Sequence, residues 1–310
     1  MKNPPQVLAR KTVNKIRRWL NGDVEATELN DELHRFHNFA YGDLNHKMLT
    51  IMNEARGAVR PTYTWGVLQA AYLAKTLGYK RISVIEFGVA GGNGLVSLEE
   101  TVRRVEPMFG VAIDVYGFDT GEGLPPADDY RDMPNIYTGG TYRMDEEGLR
   151  KRLTTAKLII GDIKLTLPEF LKSKPAPVGF ISVDVDLYTS TVDTLKILDA
   201  DPSLLLPRVH CYFDDIMGCS CAEFLGERLA LNEFNENHSR AKISPIFGLW
   251  NYVPRRYAGE IWVHMIYMAH LLDHPLYCAD DGMVTRKSED LKTEEKRPLS
   301  MATRSIAASL

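Results

Sequence analysis

Apolar positions follow two alternating rhythms through the middle of the chain. Short runs rich in β-branched residues predict strands at 82–87, 112–118, 157–160, 178–183 and 210–213. A later pair is expected near 242–247 and 261–268. Between these runs the apolar residues recur at helical spacing, at 95–105, 146–153, 167–172, 189–198 and 222–235. Strands alternating with helices imply an α/β domain with a doubly wound, mostly parallel, Rossmann-like sheet of seven strands. The near-continuous apolar runs suit strands covered on both faces. No helical pattern separates the last two strands, which predicts an antiparallel hairpin at a sheet edge.

The same rhythm divides the chain. Residues 1–80 read as a helical cap on one edge of the core, with charged amphipathic stretches at 11–20 and 27–39. A strong helix at 65–77 is stopped by Gly78. Residues 81–284 form the core. Within it, 121–148 is rich in Gly, Pro, Tyr and Asp and too long for a connector, so a substrate-facing lid is expected. Residues 285–310 read as a flexible tail.

Composition narrows the function. The 310 residues are 45% hydrophobic and 25% charged, with a net charge of -4. That balance gives no basic surface for nucleic acid or an anionic membrane. No apolar run approaches the roughly 20 residues of a membrane span, and no secretory signal is seen. The four cysteines, Cys211, Cys219, Cys221 and Cys278, lack the usual zinc or redox spacing. They fit free thiols in a reducing cytoplasm. His34 and His37 lie one helical turn apart, as surface histidines on a charged helix do. His210 falls inside a strand and reads as packed.

Candidate chemistry begins at 82–94, ISVIEFGVAGGNG. A strand, a glycine turn and a helix start present backbone amides to a polar ligand. The spacing departs from the dinucleotide fingerprint, and no G-K-[ST] follows. Glu86 stands beside the turn, where a carboxylate repels a pyrophosphate but suits a cationic head such as that of S-adenosylmethionine. Asp119 ends the second strand and can accept ribose hydroxyls. Asp162 ends the third and can accept from an adenine amino group. The fourth strand ends in Asp184 and Asp186, the fifth in Asp214 and Asp215. Neighbouring tips would crowd carboxylates that a hard divalent cation, Mg²⁺, Mn²⁺ or Ca²⁺, neutralises. The alternative is separate structural roles, with Asp186 capping the next helix and Asp214 or Asp215 binding backbone amides. Such a cation beside a methyl donor lowers the pKa of an acceptor hydroxyl.

EFGVAGG, GFDTGEGLP, GDIKLTLP, VDVDLYTST and FDDI, in this order, resemble the macrocin and mycinamicin sugar O-methyltransferases of class I. The similarity spans about 60–234, and GERLALNEF at 226–234 is similar to that family's helix after the metal site. The resemblance implies an S-adenosylmethionine-dependent enzyme with donor contacts at Thr64, Glu86, Gly88, Val89, Gly92, Asp119 and Asp162. It implies a divalent metal at Asp184, Asp214 and Asp215, with Asp184 catalytic, a sugar-containing small-molecule acceptor, and a homo-oligomer whose N-terminal helices help cover the active site. Two rival readings remain: a metal-independent O- or N-methyltransferase, and a non-catalytic nucleotide- or metabolite-binding module.

Overall fold

The computed structural model describes residues 39–218 and 221–280. The stretch at 11–20, most of that at 27–39, His34, His37, Cys219 and the tail lie outside the described residues. Among the described residues seven strands form one sheet: β1 (Arg81–Phe87), β2 (Ala112–Asp119), β3 (Lys157–Ile160), β4 (Val178–Val183), β5 (Leu205–Phe213), β6 (Ala241–Pro245) and β7 (Ile266–Leu271). Their order is β3-β2-β1-β4-β5-β7-β6. The first five are parallel, and β7 runs antiparallel to both β5 and β6. β4 is buried at every position, and β1 at every position but its first, as strands covered on both faces are.

Helices α1 (Phe39–Ala55) and α2 (Pro61–Thr76) precede the sheet. Arg60 is extended and Pro61 occupies the first turn, where a fixed φ and a missing N–H both suit a helix start. α2 is buried along most of its length and packs on β1, β4 and β5. It therefore lies over the middle of the sheet, not at the edge expected from sequence. α3 (Asn93–Phe109) follows β1 and buries Leu95, Leu98, Val102, Val105 and Phe109 at helical spacing. Gly110 stops it at φ 65. α4 (Glu146–Arg152), α5 (Ile163–Lys172), α6 (Tyr188–Leu195) and α7 (Gly226–Asn237) complete the set among the described residues. The chain moves outward from β1 through β2 to β3, then returns to β4 and β5. Right-handed crossovers in opposite directions place their helices on opposite faces. α1, α2 and α3 pack in series, as do α5, α6 and α7.

The sheet departs from the sequence reading in several places. β5 starts at Leu205, because Pro207 and Arg208 interrupt the apolar run that marks a strand. The final pair is antiparallel, yet β7 inserts between β5 and β6, so β6 alone forms that edge. Residues 261–264 make a 3₁₀ turn that buries Trp262 and Val263 ahead of β7, which a continuous apolar run does not distinguish from strand. Among the described residues no helix is long and apolar enough to cross a membrane.

Candidate active site

Backbone hydrogen bonds past the strand ends tie the tips into one rim. Gly161 N donates to Asp119 O at 2.9 Å, Gly88 N to Phe118 O at 2.9 Å, Asp184 N to Phe87 O at 2.9 Å, and Asp214 N to Val183 O at 3.0 Å. β1 lies between β2 and β4, where the crossovers part, which is where open α/β sheets hold ligands. A cavity of about 510 Å³ opens there, within the size range of small-molecule sites. It is lined by Arg60, Glu86, the turn 88–94, Asp119, Asp184, Asp186, Asp214 and Asp215, with Tyr137 and Tyr142 from the 121–148 segment.

Asp119 shapes the glycine turn. Its Oδ2 accepts from Val89 N at 2.9 Å and Ala90 N at 2.8 Å, and its Oδ1 accepts from Gly121 N at 2.7 Å. A carboxylate offers about four acceptor positions, so one on Oδ1 remains for a ligand hydroxyl. Gly88, at φ 83, faces the Asp184 carbonyl so closely that a Cβ would lie 1.7 Å from that oxygen. Only glycine fits there.

Glu86 is 1% exposed. Tyr63 donates its hydroxyl to Oε1 at 2.5 Å, and Ser182 Oγ donates to that hydroxyl at 3.0 Å. Oε2 is buried with no hydrogen-bond partner among the described residues. Burial pushes the Glu86 carboxyl up to about 8, with Asp119 and Asp214 adding to the rise and the Tyr63 bond and Arg60 opposing it. Arg60 Nη1 donates to the same Tyr63 hydroxyl at 3.3 Å.

Asp184, Asp214 and Asp215 offer carboxylate oxygens that all lie within 4.8 Å of one another. Burial first, then Asp214, Asp215 and Glu86, raise Asp184 to about 8. Burial and the same pair raise Asp186 to about 7. Burial raises Asp215 to about 6 against the Tyr137 hydrogen bond. Asp215 is held on every side. Oδ1 accepts from the Tyr137 hydroxyl at 2.9 Å and Oδ2 from Asp186 N at 3.1 Å. Its own N–H donates to Glu227 Oε2 at 3.0 Å, and Cys221 Sγ donates to its carbonyl at 3.2 Å. Tyr212 donates to Asp214.

Glu86, Gly88, Val89, Gly92, Asp119, Asp184, Asp214 and Asp215 therefore meet at one cavity. Thr64 and Asp162 do not line it. Thr64 is fully buried in α2 and donates Oγ1 to Arg60 O at 2.9 Å; the cavity position next to it belongs to Arg60. Asp162 is exposed and caps α5, accepting from Lys164 N at 2.8 Å, while its neighbour Ile163 lines the cavity. Asp186 does not cap α6, whose N-cap is Leu187. The first-turn amide of Thr189 donates instead to Asp132 of the 121–148 segment at 2.9 Å. His210 is buried edge-on to Trp65 and pushed down to about 3 by burial, so it is packed and neutral.

Sequence reasoning missed Arg60, Tyr63, Asp132, Tyr137, Tyr142 and Glu227. Tyr137, Tyr142 and Asp132 lie in the segment marked by its length, and Glu227 in GERLALNEF. For Arg60 and Tyr63 the signal was their i, i+3 spacing at a helix start, which puts both on one face.

No protein-family model and no curated protein matches the chain. Among solved structures it is similar to the O-methyltransferase NovP, at 20% identity and TM-score 0.42, covering 56% of this chain and 71% of that one. It is also similar to CalS11, a TDP-rhamnose 3'-O-methyltransferase of calicheamicin biosynthesis, at 18% identity and TM-score 0.34, covering 80% and 92%. A third is the plantazolicin methyltransferase BpumL, at 11% identity and TM-score 0.30, covering 74% and 96%. The fold assignment stands on the strand order and register described above.

Proposed function

We propose that the chain is an S-adenosylmethionine-dependent O-methyltransferase of the macrocin and mycinamicin type, acting with a divalent cation on a hydroxyl of a sugar or similar small acceptor. The observation that carries this reading is the pairing, in one cavity, of the unpartnered Glu86 Oε2 with the Asp184, Asp214 and Asp215 cluster.

The residues fit the donor. The buried, unpaired Glu86 oxygen suits an ammonium group, Asp119 keeps one acceptor position for a ribose hydroxyl, and the cavity is large enough. They fit a hard cation as well. The donor set is all oxygen, as Mg²⁺, Mn²⁺ and Ca²⁺ prefer, and the carboxyls, raised by burial first and then by one another, carry a charge cost that a cation relieves. Bound there, the cation would supply Lewis-acid polarisation of the acceptor hydroxyl.

The chain's own groups do the rest. The turn 88–94 and Glu86 would hold the donor in the cavity that the acidic tips also line. Asp186 is 8% exposed, sits at φ 61 and lines the cavity beside the cluster. From there its carboxylate can take the acceptor's proton as general base. The 121–148 segment acts as the lid that excludes water. With donor bound, transfer would join the acceptor oxygen to the methyl carbon while the carbon–sulfur bond breaks and the neutral thioether leaves. Mass spectrometry of sugar-bearing acceptors with isotopically labelled donor tests the reading, before and after metal is stripped with EDTA. Transfer that stops on stripping and returns with Mg²⁺ is expected. Transfer that persists would remove the cation, and absence of S-adenosylmethionine binding by calorimetry would remove the activity.

A further inference from the structure

The 121–148 segment is fastened in two places of different character. Its base is bolted to the second half of the domain. Asp132 is fully buried and accepts from Thr189 N at 2.9 Å and Thr189 Oγ1 at 3.1 Å. Arg131 stacks over Tyr188 at 4.5 Å, and Met133 is 3% exposed beside Gly226. None of these contacts involves the acidic cluster.

The tip is built differently. Leu124 N donates to Thr141 O at 2.9 Å and Gly140 N to Leu124 O at 2.8 Å, so its two limbs are paired with each other. Met144 N donates to Gly121 O at 3.2 Å. Tyr142 holds φ 65 while 57% exposed, a conformation uncommon for a bulky residue. Between base and tip, Tyr137 N donates to Met133 O at 3.0 Å and the Tyr137 hydroxyl donates to Asp215 Oδ1 at 2.9 Å. With Oδ2 accepting from Asp186 N, that bond fixes the plane of the Asp215 carboxylate.

We propose that Tyr137 is a positioning residue: it sets the Asp215 carboxylate for a divalent cation and, through the same bond, latches the lid tip over the cavity. The proposal rests on the cation reading above for its first half and on geometry alone for its second. Groups that orient a ligating carboxylate affect metal affinity by 10- to 100-fold. Because cation and lid tip share Asp215, each stabilises the other's state by the same factor. Loading the cation thus orders the tip, and the ordered tip tightens the cation. This gives Tyr137 a role separate from proton transfer, that of a hydrogen-bond donor to Asp215.

The test uses the full chain and its Tyr137→Phe variant. Mn²⁺ uptake is read by the electron paramagnetic resonance of free Mn²⁺. The tip is read by the rate of tryptic cleavage after the exposed Arg143, followed by mass spectrometry. The expected result has three parts. Y137F binds Mn²⁺ about tenfold more weakly. Without metal it is cleaved several-fold faster. Mn²⁺ protects Arg143 in the wild type and much less in the variant. Asp215→Ala accelerates metal-free cleavage to a similar extent, and the double variant adds nothing further, which identifies the bond and not the ring as the latch. A wild-type Mn²⁺ affinity in Y137F overturns the positioning role, and a wild-type cleavage rate overturns the latch. Should the wild type itself take up no Mn²⁺, the cation reading and the positioning role fall together, and the metal-free cleavage rates still decide the latch.

Discussion

The Tyr63 hydroxyl lies 2.5 Å from Glu86 Oε1 and thereby fixes which oxygen of that carboxylate is left for the cavity. Tyr63 is itself wedged between Phe180, at 5.9 Å, and Tyr212, at 6.1 Å between ring centroids. The pair therefore has little freedom to turn. Tyr63→Phe keeps the ring and removes the donor. A lost hydrogen bond to a buried charged group costs on the order of 1–3 kcal/mol. Its loss also raises the Glu86 carboxyl further, since the bond favours the charged form. Calorimetry at neutral pH is expected to show S-adenosylmethionine binding about tenfold weaker, with part of the loss recovered at higher pH. Unchanged affinity would mean that Glu86 does not meet the donor.

Gly88 and Gly91 offer a contrast inside one turn. At Gly88 a Cβ would collide with the Asp184 carbonyl at 1.7 Å, and φ is 83; at Gly91 nothing lies within 4 Å and φ is not positive. Backbone on both sides leaves Gly88→Ala no way to relax except by parting β1 from β4. We expect a loss of about 3 kcal/mol or more in urea unfolding. Gly91→Ala is expected to fall within about 1 kcal/mol of wild type. Equal effects from the two would mean that the close crossing at Gly88 is not what the turn needs.

The fold was largely legible because its signals are local. β3 and β4 have the predicted ends, since apolar runs bounded by polar turns mark buried strands. The insertion of β7 between β5 and β6 was not legible, because pairing order is a tertiary choice that no local pattern encodes. The candidate site divides the same way. Asp119, Asp184, Asp214 and Asp215 stand at strand ends and could be read one by one. Arg60, Tyr63, Tyr137 and Glu227 reach the rim from two helices and a long loop, and only folding brings them there. Asp162 shows the opposite case: the strand-end pattern was right, yet its Oδ1 accepts the Lys164 amide of the next helix.

Asp184→Asn separates stability from function. Asp184 is raised chiefly by burial and then by Asp214 and Asp215, so in the ligand-free protein it stores repulsion. Replacing it with a neutral isostere is expected to raise stability at pH 8 by on the order of 1 kcal/mol. The same change removes one of the oxygen ligands proposed for the cation, and Mn²⁺ affinity and methyl transfer are expected to fall at least about 100-fold. Paired measurements of thermal midpoint and Mn²⁺ binding check this. A variant less stable than wild type and equally able to bind Mn²⁺ would sink the argument.

The pH dependence of the ligand-free protein follows from the same carboxyls. Glu86 and Asp184 are raised to about 8, Asp186 to about 7 and Asp215 to about 6. In the unfolded chain such groups titrate near 4. Between those values the folded state binds more protons than the unfolded one, so stability falls as pH rises. The contribution is fully present below about pH 4 and is lost progressively up to about pH 8. Carboxyls paired elsewhere in the fold act the other way at low pH; Glu100, lowered chiefly by its Arg103 hydrogen bond, is one. The decline should therefore be clearest between pH 5 and 8. A divalent cation reverses it, because it binds the charged forms. We expect the thermal midpoint without ligand to drop across this window by about 2–4 °C for each kcal/mol lost. Added Mn²⁺ should raise the midpoint more at pH 8 than at pH 5. A midpoint that rises from pH 5 to 8 without metal, or a Mn²⁺ effect that is larger at pH 5, would show that these carboxyls are not the strained cluster the geometry describes.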